Sequence, residues 1–143
     1  MSAKPTAART RSTLRIRALA VLATVAVGAL IWLVADTVLD IGLRVPDGPG
    51  STTTTPLALP AVLIGTAVVS LLGWALLALL EKVVAGHARA VWTVVAVLVL
   101  VVSLFAPLFG AGLSGGNRAT LVLLHLAVGA ILVPAFRRSA ALA

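Results

Sequence analysis

Four long apolar runs divide the chain, at about Ala18 to Ala35, Leu57 to Leu80, Val91 to Phe109 and Ala119 to Phe136. Each approaches the roughly 20 residues that an α-helix needs to cross a bilayer's hydrocarbon core. Charges stand at their borders, which reads as membrane spans rather than as amphipathic soluble helices. Short connections make sequential helices antiparallel neighbours, so the pattern predicts an all-α fold, an integral membrane antiparallel four-helix bundle. No internal repeat is strong enough to claim.

The stretches between the spans have distinct characters. Residues 1–17, "MSAKPTAARTRSTLRIR", are polar and basic and hold too little apolar surface to offset chain entropy, which predicts a disordered basic cytoplasmic tail. The run that follows is longer than a signal-peptide core and no small-x-small cleavage pattern succeeds it, so it reads as an uncleaved span. The outer loop, residues 36–56, carries Asp36, Asp40, Arg44 and Asp47, then glycines, prolines and a threonine run. Within it Ile41, Leu43 and Val45 alternate with Gly42 and Arg44, a period-two pattern predicting a short extended piece with one apolar face on the helix ends. Pro60 falls in the first turn of the second span, where a missing N–H costs least. Pro107 loosens the end of the third. The glycines and Asn117 of the second outer loop, 110–118, predict a tight turn. Residues 137–143 form a short basic cytoplasmic tail.

Composition supports the membrane reading. The chain is 61% hydrophobic and 10% charged, against about 25% charged for a soluble domain. It has no cysteine, which excludes disulfides, thiolate metal sites and thiol redox catalysis. The formal charge of +7 does not point to nucleic acid, because the basic residues flank the apolar runs instead of forming a patch of their own. Anionic lipids at the cytoplasmic face account for them. With the N terminus inside, Lys4, Arg9, Arg11, Arg15, Arg17, Lys82, Arg89, Arg137 and Arg138 are cytoplasmic, leaving Arg44 and Arg118 outside. This asymmetry predicts that both termini are cytoplasmic.

Helices in lipid associate through close approach of small residues and through hydrogen bonds rather than a hydrophobic drive. The small and polar residues therefore mark the interior. Thr24, Gly28 and Trp32 form one stripe in the first span, leading to Asp36. Thr66, Ser70, Gly73 and Trp74, then Leu77 and Glu81, form another in the second; His125 and Gly129 lie four apart in the fourth. These stripes are expected to face one another. Trp74 sits about two turns before Glu81, roughly 10 Å inside the membrane, which predicts an interior ring bonded through its indole N–H to a neighbouring helix. Glu81 opposes the helix dipole at a C terminus and calls for a cation, with Lys82, Arg89 and Arg137 as candidates.

Candidate chemistry is sparse. Asp36, Asp40 and Asp47 lack any metal-loop spacing and have Arg44 among them, so no metal site is expected. His125 has no second imidazole at its depth for haem, no further ligands for a metal and no chain of ionisable groups for a relay. It reads as a neutral side chain bonded across helices. No nucleophile–base pair can be assembled, which argues against an enzyme, and no cofactor is called for.

At "GWALLALLE" (73–81), "VWTVVAVLVLVVSLFAPL" (91–108) and "LHLAVGAILVP" (124–134) the chain resembles a family of small four-helix integral membrane proteins of unknown function from high-GC Gram-positive bacteria. The resemblance covers 17–136, including "GLRVP" after the first span. It implies a compartment and a topology, and no mechanism. The expected role is that of an uncharacterised bacterial cell-membrane protein with a structural, accessory or interaction function, acting with a membrane-protein partner or as a homo-oligomer. The alternative is a small transporter or channel subunit that uses the polar stripe around Trp74, Glu81 and His125. The small multidrug exporters place an acidic residue deep in their first helix, whereas no charge stands here between Arg17 and Asp36.

Overall fold

The structure, a computed structural model, describes residues 4–142. Helix α1 spans Lys4–Leu33 and passes into a π-helical turn, Val34–Val38. A two-stranded antiparallel sheet follows, β1 (Arg44–Pro46) against β2 (Thr54–Pro56), with Val45 opposite Thr55. Then come α2 (Leu59–Val83), α3 (Ala88–Ser103), the short α4 (Phe105–Phe109) and α5 (Gly115–Leu142). Four helical segments are long and apolar enough to cross a membrane: Thr10–Val38, Leu59–Val83, Ala88–Phe109 and Gly115–Ala141.

Both helical ends of the chain run further than the apolar pattern. Residues 4–17, expected as a disordered tail, belong to α1. The reason is tertiary: Thr13, Arg17 and Ala20 recur at four- and three-residue spacing and are buried, continuing the face that α1 lays on α5. Likewise α5 does not stop at Pro134 but continues through the expected basic tail. Phe136 and Ser139, both fully buried, hold the turns beyond the proline in place. Pro107 acts on the carbonyl four residues before it. Because it cannot donate to Ser103, α3 ends there, and the chain turns at Leu104 before α4 begins.

Helix α1 lies against α2 and α5, and α3 lies against the same two. Two apolar clusters fill the space between them. One contains Ala20, Leu77, Trp92, Leu132 and Phe136, with Trp74 on its margin; the Trp92 and Phe136 rings are tilted, with centroids 5.5 Å apart. The other joins Val62, Leu113, Leu121 and Leu124 to Trp32, Val45 and Leu57 at the sheet end. The outward faces are apolar as well: Leu22, Ile64, Leu72 and Val102 are all more than half exposed. Water would penalise such continuous patches, and hydrocarbon does not.

The sheet sits over the ends of α1, α2 and α5. Leu43 is buried, Ile41 faces Gly116, and Val45 joins the second cluster. Asp40 adopts a positive φ of 49° and Gly42 one of 60°, which reverses the chain between the π-helical turn and β1. The partner strand β2 comes from the threonine run, whose β-branched residues suit a strand but carry no apolar alternation to mark one.

Candidate functional site

The polar side chains gather in three places. The first is a junction of α1, α2 and α5. Arg17, buried in α1, donates from Nη2 to the Glu81 carboxylate and from Nε to Ser139 Oγ at 2.9 Å. The Ser139 hydroxyl in turn donates to the Phe136 carbonyl at 2.8 Å. Glu81 was expected to pair with Lys82, Arg89 or Arg137, all exposed here. Its partner is instead Arg17, because the continuation of α1 below Ala18 brings a guanidinium inside the fold. The four- and three-residue spacing from Gly28 and Thr24 back through Ala20 to Arg17 and Thr13 is the sequence signal for this partner.

The second place is the line of helix contacts. At Gly28 a Cβ would stand 3.1 Å from Thr66 Cγ2, so α1 and α2 meet there closely enough that Thr66 would have to give way to any side chain. Gly73 faces Phe136 and accepts the Trp92 indole N–H on its carbonyl at 2.9 Å. At Gly129 a Cβ would come within 2.5 Å of Leu100 Cδ2, so this glycine faces α3 rather than the stripes of α1 and α2. The indole donor is thus Trp92. Trp74, expected to bond a neighbouring helix, packs on the margin of the first cluster by its ring.

The hydroxyls along these contacts bond within their own helices: Thr24 to Ala20 O at 2.7 Å, Thr66 to Val62 O at 2.7 Å and Ser70 to Thr66 O at 2.6 Å. His125 does the same. Its Nδ1 lies 2.7 Å from Leu121 O, one turn back on α5, which corrects the expected bond across helices. At a rise of about 1.5 Å per residue, His125 stands roughly 21 Å along α5 from Ser139, the neighbour of Arg17 and Glu81. Glu81 and His125 therefore do not converge. Among the described residues no buried side-chain nitrogen or oxygen lacks a partner, and no group of three or more histidine and carboxylate side chains is placed to hold a metal.

The third place is the sheet end. Trp32 donates its indole N–H to Leu57 O at 2.6 Å, tying α1 to the start of α2. Asn117, buried on α5, acts as a third strand for β1: its Nδ2 donates to Arg44 O at 2.8 Å and its Oδ1 accepts the Arg44 N–H at 3.3 Å. Arg118 closes the end of α4 by donating to Leu108 O at 2.6 Å and Gly110 O at 2.7 Å. Asp36, in the π-helical turn, accepts the Leu43 N–H at 3.1 Å. Beside it opens a cavity of about 220 Å³, walled by Trp32, Asp36, Leu43, Arg44, Pro56 and Leu57. On the hairpin, hydrogen bonds from the Thr53 and Thr55 side chains hold the Asp47 carboxyl below its ordinary value of 3.8, with Arg44 adding to the effect and slight desolvation opposing it.

Comparison with curated proteins and with solved structures returned no match. Residues 8–142 match a family described as of unknown function, DUF6069. That span takes in α1 from residue 8 onward, the remaining helices and the sheet as well as the three polar sites, and the chain belongs to this family.

Proposed function

We propose that this is a non-catalytic integral protein of a bacterial cytoplasmic membrane, with a structural, accessory or interaction role. In this reading the four helices cross the bilayer as an antiparallel bundle with both termini in the cytoplasm. Contacts at matching heights support the antiparallel order: Arg17 with Glu81 at one end, and Trp32 with Leu57 at the other. Arg11, Arg15, Lys82, Arg89, Arg137 and Arg138, all exposed, cluster at the Arg17 end. Their charge suits anionic headgroups of the cytoplasmic leaflet.

The observation that carries the role is the self-sufficiency of the interior. Thr24, Thr66, Ser70 and His125 spend their hydrogen bonds on their own helices, and the charges of Arg17 and Glu81 are matched to each other. A permeating solute needs polar groups held ready for it along a path, and the glycine contacts close the space between helices where such a path would run.

Reconstitution tests the role. Liposomes containing the protein should hold a proton or potassium gradient as long as empty ones do; dissipation that disappears in His125→Leu or Glu81→Gln would establish the transport reading instead. Topology is checked separately by single cysteines at Ser12 and Thr52, both exposed. In intact cells an impermeant maleimide should label the Thr52 position and spare the Ser12 position.

A further inference from the structure

We propose that the cavity at the sheet end is a binding site for a phosphoethanolamine group, a zwitterion with a primary ammonium and a phosphate. The inference rests on the membrane reading above for one point, that the junction of α1 and α2 lies at headgroup level.

The argument begins with charge. Asp36 and Arg44 both line the cavity, and yet they form no ion pair with each other. The Asp36 carboxylate receives one backbone N–H, from Leu43, on Oδ1. Arg44 donates Nε to Thr54 Oγ1 at 2.8 Å and Nη2 to Thr54 O at 2.6 Å, which fixes the guanidinium beside β2 and leaves Nη1 for another acceptor. Oδ2 of the Asp36 carboxylate accepts no hydrogen bond among the described residues, which leaves it for a cation in the cavity that Leu43, Pro56 and Leu57 also line. A ligand that matches both charges at once carries an ammonium for Asp36 and an anion for Arg44; the guanidinium fork suits phosphate.

The backbone is arranged to hold this geometry. Asp36 belongs to the π-helical turn, a conformation less favourable than the α-helix and recurrent at functional sites. Asp40 and Gly42, both at positive φ, then return the chain so that Leu43 and Arg44 form the opposite wall. The volume of about 220 Å³ is below the roughly 300 Å³ at which drug-sized pockets begin, and so fits a small polar group. Trp32 supplies a wall whose ring is apolar and whose N–H is already committed to Leu57 O, as befits a residue at the edge of hydrocarbon.

The test is native mass spectrometry of the full chain in detergent, titrated with phosphatidylethanolamine and with phosphatidylglycerol, which has the phosphate but no ammonium. The expected result is about tenfold tighter binding of phosphatidylethanolamine, a difference of about 1.4 kcal/mol. Asp36→Asn keeps an acceptor for the Leu43 N–H while removing the charge, so it preserves the loop and should abolish the preference. Arg44→Gln should weaken both lipids, and Arg89→Gln, at the opposite end, neither. Competition by soluble O-phosphoethanolamine would identify a free metabolite as the source of the group; competition by the lipid alone would identify the headgroup. Equal binding of the two lipids, or a preference that survives in Asp36→Asn, overturns the proposal. Release of the protein from membranes without detergent would overturn the membrane reading and leave this result to be judged on O-phosphoethanolamine.

Discussion

Arg17 and Glu81, 64 positions apart in the chain, form an ion pair whose two side chains are 6% and 21% exposed. Removing one member of a buried pair strands the other, whereas removing both does not. Arg17→Leu should therefore cost about 3 kcal/mol, in the range measured for broken buried pairs. The double variant Arg17→Leu/Glu81→Leu should recover most of that loss. Thermal unfolding in detergent across the double-mutant cycle measures it, and additive losses would mean that the pair contributes nothing as a pair.

Gly129 is the tightest of the glycine contacts, with an added Cβ 2.5 Å from Leu100 Cδ2, and Gly73 is looser, with its nearest atom at 3.6 Å. Gly129→Ala should destabilise by about 1–3 kcal/mol through overpacking, and Leu100→Ala in the same chain should relieve the clash. Gly73→Ala should be tolerated. A stable Gly129→Ala single variant would show that the partly exposed Leu100 side chain swings aside without cost at this height.

Trp92→Phe retains a ring against Phe136 but loses the N–H that reaches Gly73 O. The expected cost is about 1 kcal/mol, the usual net worth of one hydrogen bond. By contrast His125→Leu should fall within about 0.5 kcal/mol of the parent, because the bond it removes is local to α5. Both are read from the same unfolding measurements, and the order of the two effects is the critical outcome.

The hairpin has a pH dependence of defined sign. Asp47 has a carboxyl pKa lowered below 3.8 when folded, so its contribution to hairpin order is complete above that value. The contribution is lost as the pH falls through the folded pKa. Thr53→Val and Thr55→Val should each raise the pKa toward 3.8. Carboxyl NMR titration would follow the shift, and amide exchange at Thr53 would follow the loss of order.

The apolar spans were readable because hydrocarbon selects length and hydrophobicity, and both are visible in one dimension. So was the face of Ile41, Leu43 and Val45, since alternation is a local property. The stripe of Thr66, Ser70 and Leu77 was likewise legible from helical spacing. Arg17 was not. As a topogenic charge it starts the first span at Ala18, although the helical spacing of Thr24 and Gly28 runs on through it to Thr13. The choice of Trp92 over Trp74 as the indole donor depends on how α2 and α3 cross, which no single helix encodes. For His125, the Leu121 carbonyl one turn back is within reach of Nδ1 in any α-helix, and helical spacing alone does not separate that local acceptor from one on a neighbouring helix. Strand β2 is hidden because its threonines, though β-branched, show no apolar alternation, and only pairing with β1 makes them a strand.

Synthesis proceeds from one terminus, and this gives the Ser139 contact a meaning in time. Ser139 is made 122 positions after Arg17, yet Arg17 Nε is bonded to Ser139 Oγ. Helix α1 must therefore wait, with a guanidinium only partly satisfied, until α5 has been delivered. Arrival of α5 is registered chemically at one atom, and a chain truncated before Ser139 leaves that register open.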